Sequence, residues 1–118
     1  MKTEQQQITD FMIKAGQDCP ERPVMPSVVV RELRYNLIRE ELSELSEAFC
    51  KNDLVEVADA IADLLVVTIG CAVACGIDIQ PVWDEVHRSN MSKFIDGYKR
   101  EDGKWVKGPS YSQQTLSL

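Results

Sequence analysis

The sequence predicts an all-α fold: a four-helix-bundle-like protomer that assembles into an oligomer and carries a short C-terminal hairpin or arm. Apolar residues recur at helical spacing through most of the first 94 residues, and each helical segment begins at a residue able to cap it. The stretch from Ala60 to Ile77 is almost continuously apolar, so a helix there needs cover on all sides. With 118 residues and 44% apolar content, the chain can build one small core that would gain from a second copy.

Thr3-Glu4-Gln5-Gln6 reads as a capping box, and Ile8, Phe11, Met12 and Ala15 follow at helical spacing, which predicts a first helix over about residues 3–16. A loop with Pro20, Pro23 and Pro26 leads to Ser27, the predicted N-cap of a long second helix reaching about Lys51. Asn52 is the predicted cap of a third helix, closed by Gly76 at C′. Asp78 caps a fourth, with Pro81 tolerated in its first turn, running through Trp83 and Val86 toward Phe94. Asp102-Gly103, set between short partly apolar arms, predicts a hairpin turn, and the last ten residues read as an arm or a frayed tail. The division expected is a helical domain over residues 1–95 and a hairpin or arm over 96–118.

Residues 60–77 are barely long enough for a membrane span, carry Asp63 near one end and lack basic flanks, so a helix buried in a bundle is the better reading. Cys19, Cys50, Cys71 and Cys75 show neither regular spacing nor a signal-peptide context, which suits reduced thiols and a cytoplasmic setting. No Gly-rich phosphate loop, CxxC pair or Ser-His-Asp order is present. The only histidine, His87, is not preceded by a Glu three residues back, which argues against a di-iron carboxylate bundle.

The net charge of −6 is uneven: residues 32–63 hold nine acids and three bases, while residues 88–118 hold six bases and three acids. An acidic centre suits a hard cation and a basic tail suits a phosphorylated ligand. On a helical wheel with Glu40 at zero, the apolar sector of the second helix covers roughly 60° to 200°; Glu41 falls inside it near 100° and Glu44 at its margin near 40°. Glu40 and Glu47 fall outside. Arg34, seven residues before Glu41, shares its face and could pair with it or reach a ligand phosphate. On the third helix Glu56, Asp59 and Asp63 share one stripe, and Asp63 runs directly into Leu64-Leu65-Val66-Val67. A carboxylate in such company needs a proton, a cation or a metal.

Four elements, Glu40-Glu41-x-x-Glu44, Ala62-Asp63-Leu64-Leu65, Gly76-Ile77-Asp78 and Arg88-Ser89-Asn90-Met91-Ser92-Lys93, together resemble the all-α nucleoside triphosphate pyrophosphohydrolases. That superfamily comprises MazG-like proteins, dimeric dUTPases and phosphoribosyl-ATP pyrophosphohydrolase. In it, an ExxE and a following ExxD coordinate magnesium, which supports attack of water on the α-phosphate of a nucleotide with release of pyrophosphate. The resemblance implies Glu41, Glu44, Asp59 and Asp63 as ligands of Mg2+, or of Mn2+ in its place. Ala60 stands where the second motif expects its Glu, so either Asp59 substitutes from one residue earlier or Glu56-Val57-Ala58-Asp59 is itself the ExxD. The catalytic carboxylates implied are Glu40, Glu41 and Glu44, with Glu40 or Glu44 taking the proton of water. Asn90 and Lys93, with Arg88 as a further candidate, match the family's ligand-binding Asn and basic residue, although an Asn and a Lys also suit a helix end.

The function expected is magnesium-dependent hydrolysis of a nucleoside triphosphate, or a related nucleotide such as phosphoribosyl-ATP, at the α-β phosphate linkage. The alternative from another class is a non-catalytic acidic bundle that binds a metal or a partner. The expected partners are the nucleotide and a second copy or three further copies of the chain; neither a membrane nor a nucleic-acid polymer is expected.

Overall fold

The computed structural model describes residues 1–118 as an all-α chain that divides into two compact units, residues 1–77 and 78–118. The first unit contains α1 (Glu4–Lys14), α2 (Val28–Cys50) and α3 (Leu54–Ala74). The second contains α4 (Ile79–Met91), a 3-10 turn (Ser92–Phe94), and the two-residue strands β1 (Tyr98–Lys99) and β2 (Trp105–Val106).

Each helix starts where a side chain can accept an otherwise unpaired backbone N–H. The Thr3 hydroxyl accepts from Gln6 N, while the Gln6 side chain accepts from Thr3 N at 2.8 Å, completing the capping box. Ser27 accepts from Val30 N, and Asp78 from Gln80 N. The third start differs from expectation: the cap of α3 is Asp53, whose carboxylate accepts from Val55 N and Glu56 N. Asn52 instead takes a left-handed φ of 54° just past the end of α2, a conformation Asn tolerates better than most side chains.

α2 and α3 run antiparallel. Along α2 the residues withdrawn from solvent are Val30, Arg34, Leu37, Ile38, Glu41, Leu45 and Ala48, a seam with steps of three and four. Along α3, the small buried residues Ala60, Gly70 and Ala74 join Val57 and Val73. α1 closes one end through a core of Ile8, Met12, Val73 and Ala74, against which Cys19, Val30 and Ile69 pack. Gln5 Nε2 donates to Ile77 O at 2.7 Å and Val24 N to Cys75 O at 2.9 Å, fastening α1 and the proline-containing loop to the end of α3.

Much of the apolar surface of α2 and α3 remains uncovered within one chain, including Leu42, Phe49, Ile61 and Leu65. By length and composition alone α3 could also cross a membrane.

In the second unit, β1 and β2 pair antiparallel with Tyr98 opposite Val106, on either side of a turn in which Gly103 has φ 92°. Phe94 meets Trp105 edge to face at 4.8 Å between ring centroids. The tail is held, not frayed, as far as Thr115. Ser112 N donates to Ser92 Oγ at 2.9 Å, Ser89 Oγ to the Tyr111 hydroxyl at 3.0 Å, and Thr115 N to Glu85 Oε2 at 2.8 Å. Its polar composition gave no periodic signal because these bonds are made to residues of α4 and the 3-10 turn twenty or more positions away.

Candidate active site

Glu41 and Glu44, one turn apart on α2, and Asp63 on α3 bring carboxylate oxygens within 4.8 Å of one another. The pairing follows from the seam. Glu41 occupies a seam position between Leu37 and Leu45, and small residues at Ala48 and Ala60 let the helices approach. Glu41 and Asp63 are half-buried and Glu44 is exposed, so the group has two recessed members and one at the rim.

Glu41 Oε2 is shielded from solvent and has no hydrogen-bond partner. Burial pushes the Glu41 carboxyl above its ordinary range; contact with Glu44 and the charges of Glu44, Asp63 and Glu40 act in the same direction. A buried acceptor without a donor among converging anions is costly unless something positive lies between them. The donor set consists only of carboxylates, the chemistry of a hard cation of the magnesium or manganese type; it contains none of the Cys or His ligands that favour zinc. These residues therefore fit a divalent cation.

The other acids lie outside this group. Glu40 is adjacent in sequence but exposed, with its carboxylate free to meet solvent. Asp59, one turn before Asp63, is exposed and is not among the converging carboxylates. Glu56 lies in the first turn of α3, within 3.4 Å of Lys51 Nζ.

Arg34 is 6% exposed and forms no ion pair with Glu41. Its Nη2 donates to Gln17 Oε1 at 2.9 Å, and its Nε has no partner. It lies over Gly70, where an added Cβ would come 2.9 Å from Nη1. Sequence reasoning missed both neighbours. Gln17 carries no pattern signal, whereas Gly70, the one glycine inside α3, was a signal available in principle.

On the second unit, Asn90 is exposed and Lys93 half-buried, and Lys93 Nζ donates to Asn90 Oδ1 at 3.4 Å. Arg88 is engaged by Glu85 through two bonds of 2.7 and 2.8 Å and also donates to Ser112, so its guanidinium is largely committed to the fold.

Residues 6–90 match the family described as phosphoribosyl-ATP pyrophosphohydrolase, a range that includes all three converging carboxylates and Asn90. A 70-residue stretch is 42% identical to the uncharacterized protein L479 of Acanthamoeba polyphaga mimivirus, covering 57% of this chain and 28% of that protein. The chain thus spans well under half the length of this relative.

Proposed function

Because the chain belongs to the phosphoribosyl-ATP pyrophosphohydrolase family, part of the MazG-like superfamily of nucleotide pyrophosphohydrolases, we propose that it is a magnesium-dependent hydrolase cleaving a nucleotide between its α- and β-phosphates. The observation that carries this reading is the convergence of Glu41, Glu44 and Asp63 around an unpartnered, shielded Glu41 oxygen. Those three residues would hold the cation, with manganese as a substitute for magnesium. Bound there, the cation would neutralise phosphate charge and lower the cost of deprotonating water.

The chain's own groups supply the rest. The reaction forms a bond from water oxygen to the α-phosphorus, breaks the bond to the bridging oxygen, and releases pyrophosphate and a nucleoside monophosphate. The proton leaves the attacking water for a carboxylate: Glu40, exposed and outside the converging group, or the rim residue Glu44. Asn90 and Lys93 provide an amide and an ammonium suited to phosphate oxygens, the ammonium acting as a point charge.

Phosphoribosyl-ATP is the second substrate reading, favoured by the description of the matched family. We further propose that the chain self-associates through the uncovered apolar residues of α2 and α3. The deciding experiment measures pyrophosphate released, with and without Mg2+, from each common ribo- and deoxyribonucleoside triphosphate and from phosphoribosyl-ATP. Metal-dependent release from one of them is expected; release from none, at high protein concentration, overturns the proposal.

A further inference from the structure

Gly70 is the only glycine inside α3, and glycine is the least favourable residue in a helix interior after proline. It lies against Arg34, a buried cation whose single side-chain hydrogen bond goes to Gln17 and whose Nε has no partner. An Arg in an apolar helix seam, incompletely satisfied, is a poor stabilising device. Single polar residues in such seams do have a well-attested use: they select one register of two helices at a cost in stability.

The spacing makes that use concrete. Arg34 precedes Glu41 by seven residues on α2, and Gly70 follows Asp63 by seven on α3. On an antiparallel pair these are two rungs of one ladder, about 10 Å apart along the axis. A slip of α3 by one turn in one direction would set Val66 against Arg34 and, on the same ladder, Asp59 against Glu41. The opposite slip would set Ala74 against Arg34 and Val67 against Glu41. Only the observed register gives the guanidinium a residue without a Cβ; an added carbon would approach Nη1 to 2.9 Å and oblige the tip of Arg34, buried and bonded to Gln17, to shift.

We infer that the Arg34–Gly70 contact is a register key: it positions α3 on α2 so that Asp63, and not Asp59, faces Glu41 and Glu44. Arg34 is on this account a positioning residue two turns from the carboxylates, not a group that touches substrate. The inference rests on the reading of those carboxylates as cation-holding residues, and it does not depend on which nucleotide is cleaved.

The test uses the full chain, Mn2+ affinity by electron paramagnetic resonance, and far-UV circular dichroism to confirm folding. Arg34→Met keeps the length of the side chain and removes the key. Loss of a nearby positive charge would by itself strengthen cation binding, and a role confined to stability would leave the affinity of the folded protein unchanged. A register key predicts the opposite: Mn2+ binding at least about fivefold weaker in Arg34→Met with no fall in Tm, since a buried charge is replaced by a hydrophobic residue of similar volume. Gly70→Leu should weaken binding about tenfold or more, and Arg34→Ala/Gly70→Leu, which exchanges the large and small partners, should restore it to within about threefold. Affinity as in the wild type for Arg34→Met overturns the inference, whether or not Gly70→Leu folds. If the wild type binds Mn2+ and releases no pyrophosphate from any nucleotide, the functional proposal fails and the key is still judged on affinities; if the wild type binds no Mn2+, both fall.

Discussion

Glu41 on α2 and Asp63 on α3 bring carboxylate oxygens within 4.8 Å of each other, and one Glu41 oxygen has neither solvent nor a hydrogen-bond partner. Such an arrangement stores repulsion that a cation relieves. Because burial and its acidic neighbours raise the Glu41 carboxyl above its ordinary 4.5, the folded state retains a proton that the unfolded chain releases. The contribution of this group to stability is therefore greatest below 4.5 and declines as pH rises through the raised folded value. In metal-free protein Tm should carry this downward component, and Mg2+ at 100 times its Kd should add about 2.7 kcal/mol at neutral pH. Glu41→Gln should raise the metal-free Tm at pH 7 and abolish the Mg2+ effect. An equal Mg2+ shift in the variant and the wild type would count decisively against the site.

Asp63 and Asp59 should separate cleanly. Asp63 belongs to the converging group, and Asp59 is exposed one turn away. Asp63→Asn should lower pyrophosphate release by at least about 100-fold, the upper range for loss of even an outer partner of a metal. Asp59→Asn should stay within about threefold, as surface substitutions generally do. Steady-state rates at saturating Mg2+ make the comparison, and the reverse ranking would reassign the ligand.

Gly76 ends α3 at φ 65°, and a Cβ there would lie 2.1 Å from Arg22 O. Gly76→Ala should cost more than about 2 kcal/mol, since the left-handed backbone alone costs 1–2 kcal/mol and the contact with rigid backbone is added. Urea unfolding reads the change as a lower midpoint with the same m value.

Arg88 and the Thr115 N–H hold the Glu85 carboxyl down to about 2, their hydrogen bonds outweighing its partial desolvation. A lowered carboxyl stabilises above its unfolded value of 4.5, and that contribution is lost as pH falls from there toward 2. Amide exchange of Thr115 should accelerate relative to its intrinsic rate across that acid window. Glu85→Gln should release the tail already at pH 7, and unchanged protection there would contradict the assignment.

The uncovered residues Phe49 and Leu65 are 63% and 56% exposed in one chain. Phe49→Glu together with Leu65→Glu should shift sedimentation toward the monomer while leaving the helical content intact. A wild-type protein that sediments as a monomer at micromolar concentration would remove the proposed self-association.

The sequence by itself determined the helices, because their signals are local. Thr3, Ser27 and Asp78 act on backbone N–H groups two or three residues away, and Gly76 supplies a positive φ that needs no distant partner to be recognised. Glu41, Glu44 and Asp63 were legible for a related reason: periodicity places Glu41 in an apolar sector and Glu44 one turn on at its margin, and Asp63 runs directly into an apolar stretch. The Asn52 assignment failed within this same local range, since adjacent Asn and Asp both suit a cap and the left-handed backbone at position 52 assigned that role to Asp53.

Only the tertiary structure decided what lies across from what. Asp59 and Asp63 share a stripe of α3, and no local rule says which rung meets Glu41; that depends on the offset between two helices, a quantity set by packing of side chains far apart in the chain. Arg34, read from the wheel as a partner for Glu41 or for phosphate, lies buried between Gln17 and Gly70. The polar tail gained its order from α4 and the segment that follows it. Helix pitch is a property of one segment, whereas register and docking are properties of pairs, and only folding brings the pairs together.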